Sequence, residues 1–146
     1  MSVGSRAGTV VFTVRAEGPS PVARSYAYLA DPRTRPEWQS SLRRIEDLRG
    51  DGEVGTTWTD VTTAGVRPRM EITEVETDRV WTEVGRWRAV RAELRMVFTP
   101  TAAGGTAVVA DVRLELPGPL APVAWGLRLV APYAVRADLR GALRKA

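Results

Sequence analysis

The segment from residue 42 to residue 116 constrains the fold most strongly, because apolar and polar residues alternate along it in short runs. Alternation at every second residue is typical of a β-strand that buries one face. Turn residues separate the runs, and Asp51-Gly52 and Gly104-Gly105 are the clearest hairpin turns. Consecutive strands joined in this way form an antiparallel meander. We predict strands near 42–49, 55–63, 67–76, 79–87, 89–99 and 106–116.

A strand and two short helices are predicted ahead of the meander. Apolar residues at positions 10, 12 and 14 indicate the strand, which ends at Gly18-Pro19. The following Ser20-Pro21 predicts a helix start, with Ser20 as the N-cap and Pro21 at the first helical position. That helix runs up to Asp31-Pro32. The second covers residues 35–40 and carries Trp38.

A long helix is predicted after the meander, beyond the helix-incompatible sequence at positions 117–119. An apolar stripe with helical spacing begins at Val123 and includes Leu127. Pro132 lies within this helix, and a proline removes one backbone hydrogen bond and clashes with the preceding turn. We therefore expect the helix to bend or break near Pro132.

Two further features of this helix concern its surface. Trp125 is assigned to packing of the helix, because tryptophan buries much apolar area. Arg136, Arg140 and Arg144 recur every four residues and predict a solvated face. As a functional alternative, such a row of arginines could meet an acidic partner or a phosphate surface.

These elements predict one α+β domain spanning residues 1–146, with its core at about 8–145. The length and the 44% apolar content are ordinary for a single globular domain. The expected architecture is a curved seven-stranded antiparallel sheet wrapped around the long C-terminal helix. A curved sheet cannot pack flat against one helix, so a pocket is expected between them.

The absence of histidine and cysteine excludes several kinds of chemistry. A chain without them has no Ser-His-Asp triad, no thiolate nucleophile and no zinc site built from these ligands. A metal site built from carboxylates alone stays possible, although the acidic residues show no spacing typical of a calcium-binding loop. We therefore expect neither a metal nor a cofactor, and any reaction must rely on carboxylates, tyrosines, arginines, hydroxyls or shape.

The net charge of +4 does not indicate a nucleic-acid partner, because the basic residues are spread along the chain among 17 acids. Lys145 is the only lysine among 21 basic residues, a bias typical of a GC-rich, bacterial genome. The sequence shows no signal-peptide pattern, and its most apolar stretch, 123–135, is too short to span a bilayer. We expect a cytoplasmic protein without integral membrane contact.

Several segments together resemble a known superfamily. The first helical region runs from Ser20-Pro21-Val22 through Leu29-Ala30-Asp31-Pro32 to Pro36-Glu37-Trp38. Downstream come Gly55-Thr56-Thr57-Trp58, Ile72-Thr73-Glu74-Val75, and Phe98-Thr99-Pro100 leading to Gly104-Gly105-Thr106. In this order they resemble the SRPBCC superfamily, the START and Bet v 1-like helix-grip proteins that include polyketide cyclase/dehydrase-like members. The resemblance covers about residues 8 to 145.

The resemblance implies a helix-grip fold with a hydrophobic small molecule in the gap between sheet and helix. The superfamily includes polyketide aromatases and cyclases, lipid and quinone carriers, hormone receptors and stress proteins. A shared fold does not confer a shared activity, and the matching motifs are structural ones. The site must therefore be inferred from the residues themselves.

Strand alternation suggests which residues line the pocket. Trp58 and Asp60 share one face of their strand, and Trp81 and Glu83 share one face of theirs. The predicted substrate-binding residues are Trp38, Trp58, Met70, Trp81, Phe98 and Leu127. In the alternative interpretation the tryptophans only fill the core, since a tryptophan buries much apolar area whatever its role.

Asp60 and Glu83 are the candidate catalytic residues. If they face the cavity, burial raises the pKa of a carboxyl and makes it a candidate general acid or base. The alternation equally allows the opposite faces, and both carboxylates are then solvated. In that case the residues inside are Thr57, Thr59 and Val61 on one strand and Val80, Thr82 and Val84 on the other.

Two functions fit these features. The first is a binding protein for a hydrophobic small molecule that, as a cofactor-independent enzyme, cyclises or dehydrates a polyketide-like substrate by positioning and carboxylate acid/base chemistry. The second is a non-catalytic carrier or sensor for a lipid, isoprenoid or quinone. A third, a nucleic-acid-binding module, rests only on the basic isoelectric point.

Overall fold

The structure, a computed structural model, describes residues 8–146, so the first seven residues of the predicted domain lie outside the described part. The elements, in chain order, are β1 (Thr9–Gly18), α1 (Val22–Leu29), a 3-10 turn (Pro32–Thr34), α2 (Arg35–Trp38), β2 (Leu42–Arg49), β3 (Thr57–Thr62), β4 (Arg69–Glu76), β5 (Val80–Trp87), β6 (Val90–Pro100), β7 (Thr106–Glu115), a second 3-10 turn (Gly118–Leu120) and α3 (Ala121–Lys145). Each strand of the predicted meander begins and ends within two residues of its predicted bounds.

The seven strands form one antiparallel sheet in the order β1-β7-β6-β5-β4-β3-β2. Each strand from β2 to β7 pairs with its neighbour in sequence, as consecutive hairpins require, and β1 closes the other side by pairing with β7 along its whole length. The predicted helix-grip architecture, a curved sheet around a long C-terminal helix, is confirmed.

The start of α1 differs from the prediction by one residue. Pro21, and not Ser20, is the N-cap: the backbone amides of Arg24 and Ser25 donate to its carbonyl at 3.1 and 3.0 Å. The Ser20 hydroxyl instead donates to the carbonyl of Ala146 at 2.7 Å, and the Ser20 carbonyl accepts from Thr106. Ser20 therefore ties the β1–α1 connection to the C-terminus.

Helix α3 continues through Pro132, so of the predicted bend or break the break does not occur. The assignment of Trp125 to helix packing is also wrong, because 65% of this residue is exposed. The helix is held mainly at its C-terminal half, where Leu139, Ala142 and Leu143 are buried. The N-terminal half buries only Ala124, and Arg128 of this half donates to the carbonyl of Thr9 at 2.5 Å.

The core lies between the inner face of the sheet and α3, and α1 covers one end of it. Tyr26 of α1 packs edge-on against Phe98 of β6, with ring centroids 5.1 Å apart, and its hydroxyl donates to the carbonyl of Val80. At the end of β1, a Cβ added to Gly18 would stand 2.9 Å from the backbone oxygen of Leu143. The helix therefore approaches β1 as closely as a glycine permits.

Strand β2 is an edge of the sheet and is irregular. Its pairing with β3 shifts register twice, between Leu42 and Arg44 and between Glu46 and Arg49. Asp47 lies in the second shift with a φ of 55°, a conformation that aspartate tolerates better than most residues. Register shifts of this kind bend a strand and break its ladder of hydrogen bonds.

We predict that Gly18→Ala destabilises the fold. The added Cβ meets the Leu143 backbone, which cannot move without displacing α3, so the free energy of unfolding should fall by about 1–3 kcal/mol. Gly141→Ala is the matched control: nothing lies within 4 Å of a Cβ there, and the change should add about 0.5–1 kcal/mol through helix propensity. Urea unfolding followed by circular dichroism measures both, and equal effects at the two positions would contradict the close approach.

Candidate functional site

A cavity of about 510 Å³ lies between the inner face of the sheet and α3. Its helix side is formed by small and branched residues, including Leu127, Ala131 and Val135, and its sheet side includes Met70 and Leu94. The lining is mostly apolar. Four charged residues belong to it, Asp138 of α3 and the buried Arg35, Asp60 and Glu83.

Strand geometry places the two carboxylates on the inner face. The outer face of β3 is identified by Thr57 and Thr59, whose hydroxyls both accept from the Arg69 guanidinium, at 2.9 and 3.2 Å. The intervening residues, Trp58 and Asp60, therefore point inward and are buried. The arrangement with the threonines inside, which the alternation also allowed, does not occur.

Glu83 reaches the same interior from β5. The strand β4 runs between β3 and β5, with Met70 paired to both Trp58 and Gly85. A Cβ at Gly85 would stand 2.7 Å from the Met70 sulfur, so the missing side chain gives Met70 its place on the cavity wall. Thus two carboxylates from strands that are not neighbours face the same space.

Arg35, the first residue of α2, joins the two carboxylates. Its guanidinium donates through Nη1 to Glu83 Oε1 at 2.6 Å and through Nη2 to Asp60 Oδ2 at 3.2 Å. Two indoles complete the arrangement: Trp58 Nε1 donates to Asp60 Oδ1 at 2.8 Å, and Trp81 Nε1 donates to Glu83 Oε1 at 3.2 Å. We call these five residues the Arg35 cluster.

The cluster is buried and packed by aromatic rings. The side chains of Arg35, Asp60 and Glu83 are each 4–5% exposed. The Arg35 guanidinium carbon lies 5.5 Å from the Trp58 ring centroid and 6.0 Å from that of Trp38, within the range of cation–π attraction. Bonds to ionised groups in such surroundings are stronger than exposed ones, because little water screens them.

Two donors at this end of the cavity have no partner among residues 8–146. They are Arg35 Nε and Trp38 Nε1, both buried. A buried donor without an acceptor costs about 1–3 kcal/mol of stability. The end of the cavity near α2 is therefore short of hydrogen-bond acceptors.

The charges of the cluster do not balance, since one guanidinium faces two carboxyl groups. Burial raises the pKa of Glu83 above its ordinary value, and the negative charge of Asp60 adds to the effect while Arg35 opposes it. For Arg35, burial acts to lower the pKa, but Glu83 and Asp60 outweigh it and the pKa is raised. The surplus negative charge is relieved when Glu83 carries a proton.

Neither a metal site nor a membrane span is found in the described part of the chain. Within residues 8–146, no three histidine, cysteine, aspartate or glutamate side chains are grouped so that they could hold a metal ion. Among the helices of the same residues, none is long and apolar enough to cross a membrane.

The sequence of residues 9–146 matches the family described as "Polyketide cyclase / dehydrase and lipid transport". The chain belongs to this family. The resemblance to polyketide cyclase/dehydrase-like SRPBCC proteins is thereby confirmed, and membership places the chain among ligand-binding proteins of this fold. No curated protein sequence matches the chain.

Solved structures of low sequence identity share the fold. The di-domain ARO/CYC StfQ from the steffimycin biosynthetic pathway superposes with a TM-score of 0.77 at 17% identity, covering 96% of this chain and 51% of that one. The di-domain ARO/CYC BexL from the BE-7585A pathway gives 0.75 at 15%, covering 99% and 52%. This member of the family thus spans about half the length of those two proteins. Ara h 8.0201 gives 0.67 at 14% identity, covering 93% and 99%.

The structure brings together most of the predicted site residues of this family member. Trp38, Met70 and Leu127 line the cavity along with Asp60 and Glu83. Trp58 and Phe98 are buried in the core and do not line it. Trp81 borders a second cavity of about 490 Å³, which lies between α1 and the β2–β3 connection.

Arg35 is the site residue that the sequence analysis missed. Its only signal was indirect: carboxylates predicted to face a cavity need a buried cation, and arginine is the side chain best suited to pair with two of them. Arg35 stands three residues before Trp38, in a helix whose position relative to the sheet was not predicted.

We predict that Glu83→Gln gains stability relative to the wild type as the pH rises. The folded-state pKa of Glu83 is raised, so above its ordinary pKa of 4.5 the native protein retains a proton that the unfolded chain releases. The stability contributed by that proton is present below 4.5 and is lost as the pH rises through the folded-state pKa. The variant has no such proton. Urea unfolding from about pH 3 to about pH 8 measures the difference.

Glu74→Gln is the control with the opposite sign. Hydrogen bonds from Thr82 and Arg95 lower the pKa of Glu74, so the wild type gains stability above the ordinary value and loses it as the pH falls through the lowered one. The stability of Glu74→Gln should therefore fall furthest below that of the wild type at neutral pH. If the stability difference from the wild type changed with pH in the same direction for both variants, the raised pKa of Glu83 would be contradicted.

Proposed function

We propose that this protein binds an apolar small molecule in the cavity beside α3 and, without a cofactor, cyclises or dehydrates a polyketide-like substrate there. One observation supports this most directly: a mainly apolar cavity of ligand size ends at a single buried cluster of charge. Ligand sites commonly combine apolar walls with a few placed polar groups, in volumes of roughly 300–1,000 Å³.

The cavity walls would orient the substrate by shape. Trp38 offers a flat apolar surface near the cluster, and Leu127 and Met70 offer apolar surface from the helix and the sheet. The oxygen-bearing end of the substrate would lie toward the Arg35 cluster, because hydrogen-bond donors without acceptors are found there. Holding a flexible chain in one folded conformation removes much of the entropic barrier to ring closure.

Glu83 would act as the general acid. In a dehydration, the protonated Glu83 carboxyl donates its proton to the hydroxyl of a β-hydroxy ketone as the carbon–oxygen bond breaks. A base removes the proton from the neighbouring carbon, the electron pair of that C–H bond forms the carbon–carbon double bond, and water leaves. Glu83, left as a carboxylate, regains a proton from solvent, and the base releases to solvent the proton that it took. The raised pKa of Glu83 suits this role.

Asp60 would act as the base, and Arg35 as a positioning residue. The Asp60 carboxylate faces the same cavity and is held by Arg35 and Trp58. Because Arg35 bonds to both carboxyl groups, it fixes the separation of acid and base across β4. In an aldol-type closure the same base removes the carbon-bound proton, and Glu83 protonates the carbonyl oxygen as the new carbon–carbon bond forms.

A second candidate function is a non-catalytic carrier or sensor for a lipid, isoprenoid or quinone. The observation in its favour is that each carboxyl group of the cluster already accepts from Arg35 and from one indole. Carboxyl groups held in this way can serve to fix α2 against the sheet and to close the cavity. The family description, which names lipid transport beside cyclases and dehydrases, covers both candidates.

We predict that Ala131→Phe weakens ligand binding by filling the cavity. Ala131 lies on the helix side of the cavity wall, so the added ring would occupy space that the ligand needs. Affinity should fall by about tenfold or more. Native mass spectrometry and thermal shift with panels of aromatic polyketides, long-chain lipids and quinones give the measurement.

Ala137→Phe is the matched control, since Ala137 lies on the same helix but is exposed and outside the cavity lining. It should bind as the wild type does. If no member of the panels binds the wild type, or if both variants lose binding equally, the cavity is not a ligand site.

We predict that Glu83→Gln and Asp60→Asn each lower turnover by about 100-fold or more while leaving ligand affinity within a few fold. The amides keep the size of the carboxyl groups but can neither donate nor accept the proton. Loss of water from ring-fused β-hydroxy ketones is followed by the absorbance of the new conjugated double bond.

Glu76→Gln, at an exposed position of β4, serves as the control and should turn over as the wild type does. Binding without any turnover by the wild type would favour the carrier. Turnover retained by both amide variants would rule out the carboxylates as acid and base.

A further inference from the structure

The outer side of α3 carries a single row of exposed residues. The first half of the row is apolar and aromatic, and the second half is basic. Trp125, Leu129 and Tyr133 are spaced four residues apart, and after a step of three the row continues as Arg136, Arg140 and Arg144. Steps of three and four keep residues on one side of a helix. We call these six residues the α3 ridge. At 1.5 Å per residue it is roughly 29 Å long.

The apolar half of the ridge is exposed to an extent unusual for such side chains. Trp125 is 65% exposed, Leu129 60% and Tyr133 74%. Val123 and Val130 beside them are exposed as well. Contiguous apolar and aromatic surface of this kind on a folded domain marks a site of interaction. These residues do not contribute to the core, because α3 is buried against the sheet chiefly through its C-terminal half.

The basic half of the ridge is free of internal partners. Among residues 8–146, no carboxylate lies within ion-pair distance of Arg136, Arg140 or Arg144. The only acid of α3, Asp138, lines the cavity on the other side, where it accepts weakly from the Ser40 amide. The exposed face of α3 therefore presents positive charge without any negative charge of its own.

The ridge lies beside the opening of the cavity. Leu127, Val130 and Ala134 of the same helix line the cavity. Val130 is exposed and also stands next to Leu129 of the ridge. Val130 thus belongs both to the exposed apolar surface of α3 and to the cavity wall.

We infer that the α3 ridge is a docking surface for an anionic lipid bilayer, on which the apolar half enters the interface and the basic half contacts lipid phosphates. Tryptophan and tyrosine favour the level of the headgroups, and leucine and valine the acyl chains just below them. Arginines contact the phosphates while their stems remain over apolar surface. The helix lies along the bilayer surface and does not span it.

Charge complementarity favours an anionic bilayer over a second copy of the chain as the partner of the α3 ridge. A self-complementary contact through the apolar half would leave the three arginines of each copy without anionic partners. An anionic bilayer supplies both an apolar interior and negative charge, in the same order as they occur along the ridge. Docking would also set the opening of the cavity at the bilayer surface, where apolar molecules accumulate.

The test is sedimentation of the full chain with vesicles at physiological ionic strength. We expect binding to vesicles of phosphatidylcholine with phosphatidylglycerol and little binding to phosphatidylcholine alone. Replacing Arg136, Arg140 and Arg144 by glutamine should weaken binding to the anionic vesicles by about 100-fold. Leu129→Ser with Tyr133→Ser should weaken it by about tenfold.

Two matched variants separate the ridge from the general basicity of the protein. Arg24, Arg43 and Arg49 are exposed arginines on other elements, and replacing them by glutamine removes the same total charge. Val11 and Val54 are 61% and 56% exposed, and their double serine variant matches the apolar change away from α3. Both controls should bind anionic vesicles as the wild type does.

A second readout reports insertion directly. Trp125 is exposed, whereas the other four tryptophans are buried or half-buried. Brominated phosphatidylcholine, mixed into the anionic vesicles, should therefore quench the fluorescence of Trp125, and Trp125→Phe should remove most of that quenching. Binding without quenching would overturn the insertion of the apolar half.

Other outcomes overturn the proposal altogether. They are no binding to anionic vesicles, equal losses in ridge and control variants, or a dimer in light scattering that Leu129→Ser with Tyr133→Ser converts to a monomer. The last result would make the ridge a contact between copies. The test measures attachment of the protein to the bilayer, which requires neither turnover nor a ligand in the cavity.

Discussion

One guanidinium placed between two buried carboxyl groups is the interaction on which the rest of the site depends. Arg35 lies on α2, Asp60 on β3 and Glu83 on β5, so a short helix is joined to two strands that are not neighbours. Charges buried in this way cost several kcal/mol each in lost hydration, and mutual attraction offsets the cost only when the geometry is good. The indoles of Trp58 and Trp81 contribute to that geometry by donating to the same two carboxyl groups. As a result α2, and with it Trp38, has one defined position at the end of the cavity.

The strands and the long helix could be predicted from local patterns, because alternation and turn residues act between neighbours in sequence. The inward placement of Asp60 could not be predicted, because both faces of β3 carry residues that tolerate burial. The outer face is identified only in three dimensions, by the hydrogen bonds from Arg69 to Thr57 and Thr59. Arg35 was missed because its partners lie 25 and 48 residues away. Trp125 was misassigned because helical spacing alone does not show which side of a helix meets the sheet. Pro132 was expected to bend or break α3, and the helix continues through it without a break.

Helix α3 serves the fold differently along its two halves. The C-terminal half is anchored by Leu139, Ala142 and Leu143, and the glycine at position 18 lets it lie close against β1. The N-terminal half forms one wall of the cavity while remaining weakly buried. Leu139 takes part in both roles, because it is buried in the core and also lines the cavity.

The irregular edge strand β2 has a consequence for the protein at high concentration. A regular edge presents a row of unpaired amide and carbonyl groups, and a strand from another molecule can extend the sheet by pairing with it. In β2 the two register shifts and the left-handed Asp47 interrupt that row after a few residues. Arg43, Arg44 and Arg49 add charge along the same strand. These features disfavour the intermolecular strand addition that leads to fibrils, at the edge of the sheet where the meander begins.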